Sequence, residues 1–281
     1  MLSFGERLDR VFATRGQLCL GIDPHSFLLA EWGLPDTAEG VREFGLRAVD
    51  AAAGVIGIVK PQVAFFEQHG SAGYAALEEV LAAARAAELL VIADVKRGDV
   101  GSTVAAYAAA WLTPGSPLEA DAMTVAAYQG VGSLAEPVAQ AMAHGKGLFV
   151  LAATSNPESV NTQTALLDRG EFEGMTVAAS IVAGVDELNA ADHLGSVGVV
   201  IGATVTAADY GISAGRLAYT PILAPGFGEQ GALVADLPDL YAEVSGNVIA
   251  NVGRSVLRAG RDGITGELAR QAAELREVLA R

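Results

Sequence analysis

Short apolar, β-rich runs alternate with longer alanine-rich segments of helical periodicity along most of this 281-residue chain. This alternation is typical of βαβ units, in which helices join parallel strands. Because eight such runs occur, the pattern favours a closed barrel over an open, doubly wound sheet. The predicted strands span residues 18–23, 55–60, 89–96, 122–126, 147–153, 197–203, 221–224 and 248–252.

Helical periodicity fills the segments between these runs and marks both ends of the chain. No linker rich in Pro, Gly or Ser separates two halves. We therefore predict an α/β fold, a single (β/α)8 TIM barrel that occupies residues 1–281 as one domain. The predicted helices are an N-terminal helix over the barrel bottom at 3–13, a closing helix at 265–279, and helices at 37–53, 74–87, 103–112, 132–143 and 175–189.

The composition limits the environment and the partners of such a chain. Hydrophobic residues make up 51% of it, yet no apolar run reaches the roughly 18 residues that a membrane span requires. The N-terminal segment lacks the apolar core of a secretory signal, so we expect a soluble, cytoplasmic protein. The formal net charge of −15 disfavours binding to nucleic acid or anionic lipid, and an anionic ligand would need locally placed cations. The lone cysteine, Cys19, is predicted to be a buried, inert thiol.

The functional groups of a (β/α)8 barrel lie at the carboxyl ends of its strands, which directs attention to the polar residues there. The segment 94–99 reads Asp-Val-Lys-Arg-Gly-Asp and follows an apolar strand. Since strand residues two apart point the same way, Asp94 and Lys96 should face one side together as an adjacent acid and base. Asp99 lies beyond Gly98 and should project from a loop, in a direction that can cross a subunit boundary. The alternative is a structural ion pair, with Asp99 as the cap of the next helix.

Lys60 closes the preceding apolar strand, where a lysine alone would be interpreted as a side chain that reaches back to solvent. Its predicted place beside the strand that carries Asp94 favours a different interpretation. Two lysines and two aspartates would form an alternating, nearly neutral cluster, in which each charge offsets the desolvation of its neighbour. The sequence therefore predicts a charged cluster at the barrel mouth.

Two glycine-rich loops follow the seventh and eighth predicted strands, where barrel phosphate sites often form. The first loop, 225–231, reads Pro-Gly-Phe-Gly-Glu-Gln-Gly and offers backbone amides together with Gln230. In the second, Gly253 and Arg254 place a guanidinium directly after the last strand. The loops predict a phosphate-binding site, and the alternative is two ordinary turns with a solvated arginine.

Together these residues resemble a known family, the orotidine 5'-phosphate decarboxylases. The Asp-x-Lys-x-x-Asp motif by itself indicates only a superfamily that also contains sugar-phosphate decarboxylases and aldolases, and the other residues narrow the match. Two segments, near 113–128 and 156–176, are longer than a minimal barrel needs, which is similar to the longer bacterial branch of the family. The shared features extend over strands one to eight and comprise Lys60, the motif Asp94-x-Lys96-x-x-Asp99, Ser155, and the loops 225–231 and 252–255.

The resemblance implies a reaction and the residues that carry it out. The implied reaction is the decarboxylation of orotidine 5'-monophosphate to uridine 5'-monophosphate in pyrimidine biosynthesis, with no metal and no cofactor. Lys96 would donate a proton to the pyrimidine C6, and Asp94 would lie beside the substrate carboxylate and orient Lys96. Lys60 would brace Asp94 and, like Asp23, contact a ribose hydroxyl.

The resemblance also implies how the substrate binds and how the chain assembles. Ser155 would contact the pyrimidine edge, while Gln230 and Arg254 would hold the phosphate. Asp99 would enter from a partner subunit, together with Thr103 on the ribose side. The implied active unit is thus a homodimer with shared active sites.

Two other functions fit the same pattern. One is a sugar-phosphate decarboxylase or aldolase of the same superfamily, which would use a divalent metal held by oxygen ligands. The sequence offers few ligands for such a metal. The second strand ends in Lys60 rather than in a carboxylate, and Glu67 lies too far beyond that strand end. His25 is more readily interpreted as a polar loop residue. The other is a non-catalytic sensor of a phosphate-bearing ligand, since fold does not fix activity.

Overall fold

Eight parallel strands close into a barrel in the computed structural model, which describes residues 1–189 and 193–280. Each strand pairs with the next along the chain, and the eighth pairs with the first. The predicted (β/α)8 fold is therefore confirmed, although the predicted domain also includes residues 190–192 and 281, which lie outside the described ranges. The strands are β1 (Leu18–Ile22), β2 (Ile58–Pro61), β3 (Leu90–Arg97), β4 (Ala122–Val125), β5 (Gly147–Ala153), β6 (Val197–Ile201), β7 (Ile222–Phe227) and β8 (Val248–Val252).

Helices connect the strands and pack against them in one large apolar core. No helix in the described ranges is long and apolar enough to cross a membrane. The helices are α1 (Phe4–Arg15), α2 (Ser26–Glu31), α3 (Ala38–Ala52), α4 (Ala64–Glu67), α5 (Gly70–Ala86), α6 (Gly101–Leu112), α7 (Ala135–Ala143), α8 (Ser159–Gln163), α9 (Val177–Asp186), α10 (Leu237–Tyr241), α11 (Arg254–Leu257) and α12 (Gly260–Leu279).

The strand bounds agree closely with the sequence prediction except at two ends. β5 and β8 have the predicted bounds. β2 starts at Ile58 rather than at residue 55, because the amides of residues 55 and 56 still donate to the last turn of α3. β7 extends past residue 224 to Phe227, since its pairing with β8 continues after an irregularity. This extension brings β7 to the rim of the barrel mouth.

The predicted helices are found with shifted ends. α5 and α12 begin several residues earlier than predicted. The helix predicted at 132–143 starts as the 3-10 turn Val131–Leu134 and continues as α7. These differences concern helix ends, where hydrogen bonding rather than periodicity decides the boundary.

The lower part of the barrel interior is an apolar layer that α1 closes. Phe4 and Leu8, both fully buried, pack against inward-facing strand residues such as Cys19 and Phe149. The rings of Phe4 and Phe149 meet edge to face, with their centroids 5.9 Å apart. The predicted helix over the barrel bottom is therefore confirmed. Burial raises the pKa of the Cys19 thiol to about 12, which keeps this buried thiol protonated.

An ion network ties α1 to the amino-terminal ends of β4 and β5. Arg7 binds the carboxylate of Asp121, which precedes β4. The ammonium of Lys146, before β5, lies 2.8 Å from Glu119 and 3.6 Å from Asp121. Because Glu119 and Asp121 pair at the barrel floor, part of the long segment 113–128 serves contacts at that end of the molecule rather than at its mouth.

Candidate active site

A cavity of about 430 Å³ opens at the carboxyl ends of the strands, the end at which (β/α)8 barrels carry their functional groups. All eight strands, or the loops that follow them, contribute to its wall. Seven of the nine residues predicted to form the site line it, and Asp99 and Thr103 do not. The lining residues include Asp23, Lys60, Gln62, Asp94, Lys96, Thr124, Leu151, Ser155, Val200, Leu223, Phe227, Glu229, Gln230, Asn251 and Arg254.

The carboxylate of Asp94 on β3 is the centre of the polar wall. Its Oδ2 accepts hydrogen bonds from Lys60 Nζ at 2.7 Å and from Gln62 Nε2 at 3.0 Å. Its Oδ1 accepts from Lys96 Nζ at 2.6 Å and from Thr124 Oγ1 at 2.9 Å. Four donors, one from β3 itself and three from the neighbouring β2 and β4 or the residue after β2, thus converge on one buried carboxylate.

Two ammonium groups keep this carboxylate ionised. Burial by itself would raise the pKa of Asp94, but the attraction of Lys60 and Lys96 outweighs burial and holds that pKa well below its usual range. Burial also opposes the charge of Lys60, yet Asp94 and Asp23 raise the pKa of Lys60 above the ordinary lysine value. Lys60 and Asp94 are therefore both charged at neutral pH.

Lys96 differs from Lys60 in its exposure. The side chain of Lys60 is 5% exposed, whereas that of Lys96 is 46% exposed. Lys60 is thus fixed inside the barrel, while the ammonium of Lys96 lies where a ligand can reach it. Asp94 and Lys96 both line the cavity, and Val95 between them packs into the outer core, as the strand period predicted.

An apolar surface faces this charged cluster across the barrel. Leu151, Val200 and Leu223 line the cavity from β5, β6 and β7. β6 and β7 lie opposite β2 and β3 in the closed strand order. Apolar walls exclude water and lower the local dielectric, so fixed charges act more strongly inside such a cavity than in bulk solvent.

The two late loops supply the candidate phosphate site. Gln230 and Arg254 both line the cavity, as predicted. Ser155 Oγ donates to Gln230 Oε1 at 3.5 Å, which brings the loop after β5 next to the loop after β7. Planar guanidinium groups such as that of Arg254 match the geometry of a phosphate.

Three buried oxygen atoms near these loops have no hydrogen-bond partner in the described part of the chain. They are Asp23 Oδ1, Asn251 Oδ1 and Ser255 Oγ. Asp23 and Asn251 line the cavity itself. Because buried polar atoms in folded proteins are normally paired, the oxygen atoms of Asp23 and Asn251 are available to bond a polar ligand or water in the cavity.

Asp99 and Thr103 lie outside the cavity of their own chain. The carboxylate of Asp99 accepts a hydrogen bond from the Val100 amide at 2.8 Å. Helix α6 begins at Gly101 and its N-cap residue is Val100, so the alternative in which Asp99 is the helix cap is wrong. Thr103 is exposed on the first turn of α6.

The long segment 156–176 contains α8, which braces the loop after β5. Gln163 accepts a hydrogen bond from the Thr154 amide at 2.9 Å and donates to Thr154 Oγ1 at 3.0 Å. Ser159 Oγ donates to the Thr154 carbonyl at 2.8 Å. Both backbone groups of Thr154 are thus held directly before Ser155 in the cavity wall. The segment therefore has a structural role that the sequence did not indicate.

The polar cavity residues that the sequence analysis missed include Gln62, Thr124 and Asn251. Gln62 follows the second strand, and the rule that directed attention to strand ends would have found it. Thr124 and Asn251 lie inside apolar runs and are 1% and 8% exposed. Their only signal is a polar residue at an inward-facing strand position.

His25 is a candidate ligand in the alternative in which the protein is a metal-dependent enzyme. Its ring instead packs against aromatic side chains, with centroids 4.4 Å from Phe65 and 5.4 Å from Phe27. Burial lowers the pKa of His25. Across the described residues, no three His, Cys, Asp or Glu side chains are grouped as metal ligands would be.

A charged cluster of this kind at the mouth of a closed barrel places the chain among the (β/α)8-barrel enzymes that carry the Asp-x-Lys-x-x-Asp motif. Residues 16–267 match the family described as orotidine 5'-phosphate decarboxylase / HUMPS. The chain belongs to this family, and the resemblance noted in the sequence is confirmed.

Relatives and solved structures agree with this assignment. The orotidine 5'-phosphate decarboxylases of Salinispora arenicola and Streptomyces coelicolor are 49% and 48% identical to this chain, and each alignment covers 93% of this chain and 92% of the relative. A solved Streptomyces avermitilis structure assigned to the same enzyme is 45% identical, has a TM-score of 0.94, and is matched over 100% of this chain and 97% of that one. The Leishmania donovani OMP decarboxylase is 28% identical, with a TM-score of 0.76 and full coverage of both chains.

The brace between α8 and Thr154 can be tested by stability. Gln163→Ala leaves the Thr154 amide without its acceptor, so we expect the free energy of unfolding to fall by about 1 kcal/mol or more. Chemical denaturation measures this difference. Gln163→Glu keeps an acceptor for the amide and should lose less. Equal stability of Gln163→Ala and the unchanged protein would contradict the brace.

Proposed function

We propose that this protein decarboxylates orotidine 5'-monophosphate to uridine 5'-monophosphate, the activity for which its relatives are named. The observation that carries the proposal is the cluster at the barrel mouth, in which Lys60 and Lys96 both bind the buried carboxylate of Asp94. This cluster supplies fixed charge where the reacting carbon of the substrate would lie. In this proposal the reaction uses no metal and no organic cofactor, and it belongs to pyrimidine biosynthesis.

The chemical difficulty is the electron pair left behind when CO2 departs. The bond between C6 and the carboxylate carbon breaks, and its two electrons stay in the ring plane at C6, where they cannot delocalise into the carbonyl π system. A fixed ammonium beside C6 stabilises the developing carbanion and then donates a proton to it. Lys96 suits this step, because its ammonium is exposed to the cavity and anchored 2.6 Å from Asp94. The neutral amine that results regains its proton from solvent.

Asp94 would lie beside the substrate carboxylate, so that repulsion between like charges is relieved as neutral CO2 leaves. The lowered pKa of Asp94 supports this role, because a protonated carboxyl group would neither repel the substrate nor orient Lys96. Lys60 is buried against the other oxygen of the carboxylate. It would keep Asp94 charged after Lys96 has given up its proton.

The rest of the cavity would bind the nucleotide. Gln230 and Arg254 would hold the phosphate, and Ser155 would contact the pyrimidine edge. Asp23 would accept a hydrogen bond from a ribose hydroxyl, which gives a partner to the buried Oδ1 that has none among the described residues. Lys60 would contact a second hydroxyl. Binding energy at the phosphate, remote from the reacting carbon, can drive loop closure and raise turnover.

The proposal includes a cytoplasmic homodimer with shared active sites, in which residues 1–281 form one catalytic domain. Asp99 and Thr103 follow β3 but do not line the cavity of their own chain. From there they would contact the ribose of a substrate bound to a partner subunit. Val100 and Tyr128, on the loops after β3 and β4, are 53% and 90% exposed and offer apolar surface that such a partner would cover.

Turnover in the presence of a chelator tests the proposed function directly. The purified protein should form uridine 5'-monophosphate and CO2 at the same rate with and without chelator. A metal-dependent enzyme would stop, and a sensor would bind the nucleotide without turnover.

Lys96→Ala tests the proton donor. The variant should remain folded by circular dichroism, with kcat lower by at least about 10³-fold, because it lacks both the stabilising charge and the proton donor. Near-normal turnover by this variant would exclude Lys96 as the donor.

Arg254→Ala tests the phosphate contact. We expect the variant to bind orotidine 5'-monophosphate more weakly by about 1.5–3 kcal/mol, the range for hydrogen bonds to charged groups. Its loss of affinity for orotidine, which has no phosphate, should be smaller. Arg261→Ala changes an exposed arginine of α12 and serves as the control. Equal losses for both ligands would argue against a contact between Arg254 and the phosphate.

A mixture of two inactive variants tests the shared site. If Asp99 acts in the partner's site, Asp99→Ala and Lys96→Ala chains are defective in different halves of a composite site. A mixed dimer then holds one site with both defects and one site with neither. Random re-association gives about half mixed dimers, and so roughly a quarter of the sites should be intact.

The measurement is decarboxylation after the two variants are refolded together, compared with each variant refolded alone. Mass measurement of the native dimers shows first that mixed dimers have formed. Without any recovery of activity in such verified mixed dimers, Asp99 must act within its own subunit or have no part in the reaction.

A further inference from the structure

Strand β3 is irregular at the lysine that faces the cavity. Its pairing with β4 shifts between Ala93 and Arg97, so that residues 94–96 on β3 lie opposite a single residue, Thr124, on β4. Bulges of this kind re-aim side chains and are over-represented beside active sites. Their amides cannot all pair with the neighbouring strand, so another acceptor must satisfy them.

Lys96 has a left-handed backbone conformation within this bulge, with φ at +48°. Residues other than glycine rarely adopt it, because the Cβ atom approaches a neighbouring carbonyl oxygen. Among the described residues, Glu88 and Ala242 are the other non-glycine residues with positive φ, and both lie outside the strands. Strain of this kind persists only where the surrounding structure enforces it.

The hydroxyl of Thr124 bridges the two functional groups of the bulge. Thr124 Oγ1 accepts a hydrogen bond from the Lys96 amide at 2.9 Å and donates one to Asp94 Oδ1 at 2.9 Å. The same Asp94 oxygen accepts from the Lys96 ammonium at 2.6 Å. Backbone, carboxylate and ammonium are therefore joined in one closed loop of contacts. Thr124 is 1% exposed, so bulk water does not compete for either bond.

We propose that Thr124 is a positioning residue for Lys96, whose hydroxyl holds the bulge of β3 in the conformation that directs the ammonium into the cavity. Without this hydroxyl, the Lys96 amide and Asp94 Oδ1 both lose a partner. The bulge is then free to relax toward regular pairing with β4, and a shift of register changes the face to which a strand residue points. This inference rests on the proposed function of Lys96 as proton donor.

Substitutions at Thr124 separate the hydroxyl from the shape of the side chain. Thr124→Val removes the hydroxyl at nearly constant shape, and we expect kcat to fall by about 10²-fold, the loss that a small misplacement of a reacting group can cause. KM should change little, because the phosphate and pyrimidine contacts stay in place. Thr124→Ser restores the hydroxyl and should keep most of the turnover. Thr124→Ala is a second variant without hydroxyl, for use if Thr124→Val does not fold.

A matched control distinguishes positioning from general stability. Thr220→Val removes the hydroxyl of another fully buried threonine, just before β7 at the opposite end of the barrel. It should lower the free energy of unfolding and leave kcat unchanged. Crystal structures provide a readout apart from activity: Lys96 should keep its positive φ in Thr124→Ser and lose it in Thr124→Val.

Normal kcat in Thr124→Val, or equal losses in Thr124→Val and Thr124→Ser, would overturn the inference. A loss that appears in KM rather than in kcat would also overturn it, since it would indicate a binding role. If the unchanged protein does not decarboxylate orotidine 5'-monophosphate, the proposed function fails instead. The backbone conformation of Lys96 in the crystal structures then still tests whether Thr124 holds the bulge.

Discussion

The carboxylate of Asp94 is the group on which the arrangement of the barrel mouth depends. A buried carboxylate without partners is strongly unfavourable and tends to take up a proton. Asp94 avoids this because it accepts hydrogen bonds from four donors, two of which are ammonium groups. Lys60 needs the carboxylate equally, since its side chain is as deeply buried as that of Asp94. The charges are mutually dependent, because removal of one leaves an uncompensated charge inside the barrel.

The balance of charge differs between the whole molecule and the cavity. The formal net charge of −15 gives an overall field that repels an anionic nucleotide at long range. The cavity wall, in contrast, carries three cationic and three anionic side chains, and one of these anions, Glu229, is bound by Arg258 at 2.6 Å. Attraction of an anionic ligand must therefore come from the placement of individual cations. Lys96 on β3 and Arg254 after β8 are separate cations, which suits a ligand with two anionic groups.

Local sequence patterns were enough to predict the strands, the barrel and most of the charged residues in the cavity wall. Contacts between residues that lie far apart in the sequence could not be predicted from these local patterns. Thr124 lies in an apolar run and has the β-branched side chain that is common in any strand, so its neighbours in the sequence give no sign of its bonds to Lys96. The period-two argument placed Asp94 and Lys96 on one face, but it assumed a regular strand, and the bulge that sets the conformation of Lys96 was missed. The brace from Gln163 to Thr154 was missed because it depends on how a long loop folds back.

The two ends of the barrel meet different requirements. At the floor, Phe4 and Leu8 fill the interior, and local preference agrees with tertiary packing. At the mouth, β3 departs from regular pairing, Lys96 is strained, and buried oxygens of Asp23 and Asn251 lack protein partners in the described chain. Selection for stability alone would remove such features, and their concentration in one place is typical of a functional site. The closed, densely packed lower half keeps the strand ends fixed, so the mouth cannot relax by moving a whole strand. A polar ligand in the cavity can supply partners for these oxygen atoms, so ligand binding would offset part of the cost of leaving them buried.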